Sequence, residues 1–434
     1  MIYSKNLDLK YETDVLVIGG GPAGVAAAVA AARQGVDVML VETSGALGGS
    51  GTVGMVPEFM YFDDGINLLS GGIGGEVKRH FYGDKNEHKT YNVKVEELKR
   101  LYDDMVTKSG VKLLFFTKVV DMIVEKGKVE AAVVSSQSGM YAIKAKIFVD
   151  CTGDGNASVR AGVDSDYGDE KENTNPATLC SFWGGVDFSK KPPLDGIKIY
   201  SAYQAGILST FDLMLPGIKE VDRAAGVGGG NIGHYFSLDD RDEEKLTEAM
   251  ISSRKTVFEY QNYYRTYVPG CENAFLCYTA NVMGIRESRR ISCDYRMKYA
   301  DYEARAVFDD EIGRYNYPID IHPTSPDEEA VKEANRISSL RYGDGESYGI
   351  SLGCLIAKGV SNMFVGGRCI GSDRMMQSTM RVVPCCYITG QAAGIAASVC
   401  VLENTDSHNV NVRETQRRLI RMGAYLPNFK EDEA

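Results

Sequence analysis

Histidine and tryptophan are scarce in this chain: five and one among 434 residues. Its ten cysteines contain no CxxC pair and no metal-ligand spacing, so neither a metal site nor a dithiol redox pair is expected. They read instead as reduced, mostly buried thiols, the pattern of a cytoplasmic protein. Cys385 and Cys386 are neighbours, and a disulfide between neighbours needs a strained ring, so they too are read as buried thiols. A surplus of positive charge is also missing. Lysine and arginine total 48 against 59 acidic residues, a net charge of −11, which excludes a general nucleic-acid binder. No run reaches the ~18 apolar residues of a membrane span. The best, 392–402, is short and rich in alanine, so no membrane insertion is expected. The opening stretch "MIYSKNLDLKYETD" lacks the apolar region of a secretory signal.

Glycine is what the chain has in excess, 47 residues gathered in short clusters between apolar stretches. Such clusters suit places where backbone must approach a ligand closely. The first comes after an apolar run, Val15 to Ile18, that suits a strand buried on both faces. Gly19, Gly21 and Gly24 then fall at GxGxxG spacing. The first glycine allows a tight turn, the second lets a pyrophosphate touch the main chain, and the third lets helix pack on strand. Pro22 suits a first helical position, and Ala23 starts an alanine-rich helix ending near Gly35. A second strand, Val36 to Val41, delivers Glu42, placed to accept from ribose hydroxyls and to repel a 2′-phosphate. Two other stretches, 49–54 and 228–233, fit the bare spacing without that context; the second is read as a mobile loop.

The segment after Glu42 favours FAD over NAD. "TSGALGGSGTVG" continues with more glycines and hydroxyls, and Gly48, Gly49, Ser50 and Thr52 are read as cofactor contacts. Three β-rich stretches near 113–124, 128–135 and 140–149, joined by "EKGK" and "SQSG", read as an antiparallel meander. The last ends in "DCTGDG". These features together resemble the glutathione-reductase-like flavoproteins, in which a meander is inserted in the FAD domain and a "TG" follows the strand near the adenosine half. The resemblance implies FAD contacts at Thr152, Gly153 and Asp154, with Val119 taken alongside them. Far downstream, "NMFVGGRCIGSD" and "MRVVPCCYITGQAAGIAAS" read as a strand, a loop and a helix from about Pro384. In such flavoproteins this return closes over the flavin, which implies contacts at Gly367, Arg368, Gly390, Ala393 and Gly394. The helix N-terminus can stabilise the anion formed on flavin reduction.

A narrower match rests on "NVMGIRESRRISCDYRM", "FDDEIGRYNYPIDIHP", "SYGISLGCLIAKGVSNMFVGGRCIGSD" and "STMRVVPCCYITGQAAGIAAS". These resemble the FAD-dependent oxidoreductases near the fumarate reductase and succinate dehydrogenase flavoproteins, over almost the whole chain. The resemblance implies an α/β fold, a Rossmann-like FAD domain with a β-meander plus an inserted α+β substrate domain. The expected boundaries are 1–163 and 348–434 for the two parts of the FAD domain and 164–347 for the insert. Two departures stand out. Arg368 occupies the position where many relatives carry an aspartate for a ribityl hydroxyl, and no histidine lies around 44–54 for covalent attachment. Noncovalent FAD is therefore expected.

Flavin chemistry on carbon needs a proton donor or acceptor near the reacting atoms, and cations where negative charge develops. Arg286, Arg289 and Arg290 form one basic cluster, and Arg381 precedes the flavin-facing helix. In fumarate-reductase-like enzymes arginines hold a carboxylate and one acts as the acid, which implies Arg289 and Arg381 here, with Arg286 beside them. The competing reading is ion pairing with Glu287, Asp294 or Asp373. His322, beside Asp320, and His234, after the glycine-rich 228–233 stretch, are candidates for proton transfer. Tyr348 has similar standing, and Trp183 is read as packing.

Three function classes fit these features: hydride transfer between FAD and a small organic substrate, carboxylate-bearing in the fumarate reductase analogy; a flavin-requiring hydratase or isomerase without net redox; and a noncatalytic flavin-binding partner subunit. With one well-contexted nucleotide fold, an external electron donor or acceptor is expected, and a homodimer is the base-rate expectation.

Overall fold

The computed structural model describes residues 4–192, 196–212, 217–326 and 328–431. The ends of the expected outer segments, 1–3 and 432–434, lie outside the described residues. The first part of the chain contributes β1 (Leu9–Ile18), α1 (Pro22–Ala32), β2 (Val38–Val41), β3 (Lys112–Leu114), β4 (Lys118–Glu125), β5 (Lys128–Ser136) and β6 (Gly139–Asp150). A middle part contributes β7 (Ser181–Gly184), β8 (Ile218–Asp222), β9 (Val227–Gly230), α2 (Glu243–Tyr267) and β10 (Phe275–Thr279). The chain then returns as β11 (Met363–Val365), α3 (Arg374–Met380), α4 (Val383–Glu403) and α5 (Val412–Arg421).

The main sheet has seven strands in the order β3-β2-β1-β6-β5-β4, with β11 also against β6. The long β6 makes this branching workable. Its first half pairs antiparallel with β5, as Ala131 opposite Lys144, and its second half pairs parallel with β11, as Val365 opposite Asp150. The strand is twelve residues long, enough to serve both neighbours on one edge while β1 runs parallel along the other. β2 and the end of β1 are buried throughout, which suits apolar parallel strands covered on both faces. The expected first meander stretch, 113–124, divides in two. Lys112–Leu114 is a parallel strand on β2, and the chain turns through Phe116, at φ +52°, before the antiparallel β4 starts.

The small residues of α4 prove to be packing residues. A Cβ on Gly390 would lie 2.2 Å from the Ala23 carbonyl oxygen, and one on Gly394 would lie 2.1 Å from that of Ala27. Residues four apart on one helix thus meet residues four apart on the other in the same direction, so α1 and α4 run parallel with their backbones touching. Gly390, Ala393 and Gly394, expected at the flavin, are buried in this seam and do not reach the cavity at the sheet's carboxyl edge. α4 is also, against expectation, long and apolar enough to cross a membrane, but its apolar window is buried inside the fold. Cys385 and Cys386 lie in its first turn as buried free thiols.

The middle part forms a four-stranded antiparallel sheet, β8-β9-β7-β10, with α2 packed on it. Trp183 is buried at its centre, edge-on to Tyr264 of α2. The first half of the expected mobile loop at 228–233 is in fact the end of the inner strand β9. A Cβ on Gly228 would meet Ile218 at 2.3 Å and one on Gly229 would meet Pro57 at 2.4 Å, so these glycines serve close contact rather than mobility. Separate hydrophobic cores lie within 177–283, whereas Ile291, Tyr302, Tyr315 and Tyr348 join the core of the main sheet. The independently packed part is therefore narrower than the expected 164–347.

Candidate functional site

A cavity of about 810 Å³ opens at the carboxyl ends of β1, β2 and β6, where Ile18, Val41 and Cys151 reach its wall. Such crevices are the usual ligand position of open α/β sheets. The three glycines of the first loop differ sharply in what surrounds them. Gly19 sits at φ +94°, and a Cβ there would come within 2.7 Å of the Cys151 carbonyl oxygen. At Gly24 it would lie 1.8 Å from the Gly19 carbonyl oxygen, so this position needs glycine for helix-on-strand contact. At Gly21 it would meet nothing within 4 Å. Gly21, Pro22 and Ala23 line the cavity, and no side chain caps α1 there, so its first-turn N–H groups face open space.

Glu42 lines the same end and is held by two backbone donors, accepting from Gly20 N–H at 2.7 Å and from Ser44 N–H at 2.7 Å. Gly49 and Ser50 also line it, with Gly49 facing the Gly21 Cα. Gly48 and Thr52, expected beside them, stand behind the wall. The Gly48 N–H donates to the Gly20 carbonyl and the buried Thr52 hydroxyl donates to the Leu47 carbonyl. Val119 completes this end.

Thr152, Gly153 and Asp154 form the opposite wall of the same end. Asp150, buried below them, accepts from the Thr152 and Ser158 N–H groups and hydroxyls and so shapes the turn. Arg368 crosses from the β11 loop, donating through Nε to the Gly153 carbonyl at 3.0 Å and pairing with Asp154. Burial raises the Asp154 carboxyl above its ordinary value despite that pairing. Arg289 reaches the same turn, donating to the Asp154 carbonyl and to the Asn156 side chain at 3.3 Å each.

Beyond Gly367, whose N–H donates to Thr389, the wall consists of Val382, Val383 and Cys386 at the start of α4. This helix end also has no side-chain cap. Two uncapped helix N-termini therefore share one cavity, and each favours negative charge. Cys386 is a neutral thiol, pushed up to about 12 by burial. Tyr348 is buried away from the cavity, hydrogen-bonded to Thr379, and plays a packing part.

The remaining wall carries a buried polar chain. Arg381 donates to the Asp320 carboxylate and to its carbonyl at 3.0 Å each. Asp320 stands 3.5 Å from Nε2 of His322. Nδ1 of His322 is 3.0 Å from Nε2 of His234, whose Nδ1 lies 3.0 Å from the Asp212 carboxylate. Arg286 flanks the chain, donating to the Pro176 carbonyl, the Thr178 hydroxyl and the Asn231 side chain at 2.7–2.8 Å. All three acceptors are neutral, so among the described residues this buried cation has no directly bonded carboxylate. Burial, with Arg381 nearby, lowers it to about 10. Burial alone would raise the Asp320 carboxyl, but His322 when it carries charge, with Arg381 and Arg286, lowers it below its ordinary value. Burial and Arg286 lower His322 to about 4 against the pull of Asp320, and burial lowers His234 against that of Asp212. Both imidazoles are thus neutral at pH 7.

The structure gathers Arg286, Arg381, His322 and His234 into one network, although His234 stands behind the wall rather than in it. Arg289 is set apart from it on the Thr152–Asn156 turn. Glu287 does form ion pairs, but with Arg290 and Arg374 rather than with the cavity arginines. It also accepts from Asn175, whose side-chain oxygen receives the His322 N–H at 2.8 Å, so the pair anchors the histidine's backbone. Sequence reasoning missed Asp212, Asn175 and Asn231. Asp212 and Asn175 stand in no motif, Asn231 lies in the 228–233 stretch that reads only as a loop, and His234 gives no pointer to an acid twenty-two residues upstream.

The chain belongs to the FAD dependent oxidoreductase family, whose pattern residues 14–419 match, and FAD is its cofactor. No curated protein sequence matches it. Among solved structures it is similar to a geranylgeranyl bacteriochlorophyll reductase-like protein from Thermoplasma acidophilum, at 13% identity and a TM-score of 0.49 over 95% of this chain and 87% of the other. It is also similar to the myxobacterial chondrochloren halogenase CndH, at 12% identity and a TM-score of 0.46 over 95% and 79% of the two chains. A third is the p-nitrophenol 4-monooxygenase PnpA from Pseudomonas putida, at 15% identity and a TM-score of 0.39 over 66% and 70%.

Proposed function

We propose that the protein is an enzyme that transfers a hydride between noncovalently held FAD and a small organic substrate bearing a carboxylate. The cavity fits the cofactor on three observations: open space over Gly21, two uncapped helix N-termini, and a volume within the ~300–1,000 Å³ typical of ligand sites. In this reading the α1 N-terminus and Ser50 hold the pyrophosphate, Glu42 the ribose, and the start of α4 the flavin. Bound FAD supplies a two-electron acceptor or donor.

The observation that carries the proposal is the meeting of Arg286, Arg381, Asp320 and His322 on the wall that also holds the α4 N-terminus. Arg286 carries a charge that no bonded acid neutralises, which supports an anionic group in the substrate. Among the described residues, Arg381 keeps a buried Nε with no hydrogen-bond partner. Neutral His322 has a lone pair free to accept a substrate proton at pH 7 as hydride departs, and burial and Arg286 keep it a weak base in the resting site. Of the two arginines implied by the fumarate reductase resemblance, Arg381 stands in this network and Arg289 does not.

Anaerobic addition of small hydroxy, amino and saturated carboxylic acids to the oxidised holoenzyme tests this. A substrate of the class bleaches the flavin absorbance, and Arg286→Met raises the concentration required by about tenfold or more, the loss of one charged hydrogen bond. Turnover of such an acid with flavin absorbance unchanged and no electron donor present would refute it in favour of a hydratase or isomerase.

A further inference from the structure

We infer that Asp212 and His234 are positioning residues that set the tautomer of His322, and that His234 accepts the His322 proton during the reaction. The inference rests on the proposed role of His322 as the proton acceptor and extends the site inward, to residues that never touch substrate.

Hydrogen-bond accounting leads to it. An ionised carboxylate can only accept. Asp212 accepts the His234 backbone N–H at 3.0 Å and faces its Nδ1 at 3.0 Å, so that nitrogen carries the proton. Nε2 of neutral His234 is then an acceptor, and the 3.0 Å contact requires a proton on Nδ1 of His322. Nε2 of His322 is left as a bare lone pair, on the cavity side and 3.5 Å from the Asp320 carboxylate. Two acceptors face each other there until a proton arrives, and Asp320 then receives the new N–H.

The transfer balances without any redox partner. As the substrate X–H bond breaks, an N–H bond forms at His322 Nε2. The Nδ1–H bond of His322 breaks, and an N–H bond forms at His234 Nε2. One positive charge moves from the cavity wall to His234, beside Asp212, and each electron pair stays on its own atom. The side chains of His234 and Asp212 are 2% and 3% exposed, so the charge comes to rest out of contact with water. Among the described residues, the groups that face this pair include Asp212, Asp320, Arg286 and His322, with Tyr260 beside Asp212 and Arg381 acting through Asp320. Arg286 opposes a cation on either ring; Asp212 offsets that for the inner one.

Two-dimensional long-range 1H–15N spectra of the holoenzyme labelled in histidine resolve tautomers directly, and the chain has only five histidines to assign. His234→Gln and His322→Gln identify the two signals. Both rings are expected as neutral Nδ1–H tautomers at pH 7. Asp212→Asn, compared at equal thermal stability, is expected to move the His322 signal to a mixed tautomer pattern. It should also slow flavin reduction by about tenfold or more at unchanged KM, with a displaced pH profile. Asp212→Glu should restore part of the rate. If Asp212→Asn does not fold, loss of the His322 tautomer preference in His234→Gln serves the same purpose. An Nε2–H tautomer at His234, or a His322 signal unmoved in the Asp212 and His234 variants, overturns the inference. Neither spectrum depends on a substrate, so a failure of the hydride-transfer proposal would show separately, as an unbleached flavin.

Discussion

Replacing two glycines of the first loop, one at a time, should separate folding from cofactor binding. At Gly24 a Cβ would lie 1.8 Å from a backbone carbonyl oxygen, a contact that no side-chain rotation relieves. Helix and strand must move apart by more than 1 Å to reach ordinary contact at ~3.4 Å or beyond. Overpacking of this kind costs about 1–3 kcal/mol. Gly21 differs: its φ of −66° suits any residue and a Cβ meets no protein atom within 4 Å. The weaker helix cap that alanine makes is offset by about 0.4–1 kcal/mol from restricting the unfolded chain. Gly21→Ala should therefore leave the apoprotein within about 0.5 kcal/mol of the parent. Its methyl group, however, enters the space given to the pyrophosphate and should weaken FAD binding by about tenfold or more, or ~1.4 kcal/mol. Urea unfolding of the apoproteins at matched slope and flavin fluorescence titration measure the two quantities. Gly24→Ala should lower the unfolding midpoint, and Gly21→Ala should lower only the affinity. Equal destabilisation by both, or normal FAD affinity in Gly21→Ala, would refute the assignment.

Acid should destabilise the apoprotein in a defined window. His322 titrates at about 4 when folded and near ~6.5 when unfolded, so the unfolded chain binds more protons between those values. Its contribution is complete above pH 6.5 and is lost as pH falls toward 4, by up to about 3 kcal/mol. Denaturation midpoints of the parent and His322→Gln should converge over that range, and a constant difference between pH 7 and 4 would contradict the burial of a neutral ring. Glu287→Gln removes the acid shared by Arg290 and Arg374 and leaves buried positive charge without its counter-ion. A loss of about 3–5 kcal/mol is expected by urea unfolding, and a loss under ~1 kcal/mol would show that the pair is dispensable.

The nucleotide loop was legible because its parts are contiguous: apolar strand, glycine turn, alanine helix, second strand and Glu42 stand in order. Local chemistry was less informative about what a glycine is for. Gly228 and Gly229 read as a loop because nothing nearby in sequence announces Ile218 or Pro57 pressing on them. Gly390 and Gly394 read as cofactor contacts for the same reason, since the Ala23 and Ala27 carbonyls that require them lie over three hundred residues away. His322 and His234 were visible as residue types, but their contact joins the separately packed middle part to the main body. Asp212 left no trace at all, being one acid among many until the fold set it beside His234. Arg289 and Arg381 were expected to act together; the first instead braces the Asp154 turn.

The parallel seam between α1 and α4 bears on the life of the protein as it is made. On the ribosome, the α1 loop emerges more than three hundred residues ahead of α4. Until α4 arrives, the face of α1 that carries Ala23 and Ala27 has no helix packed on it and the pocket lacks a wall. FAD should therefore be held firmly only once α4 has packed on α1, and chains cut short before residue 383 should retain none of it.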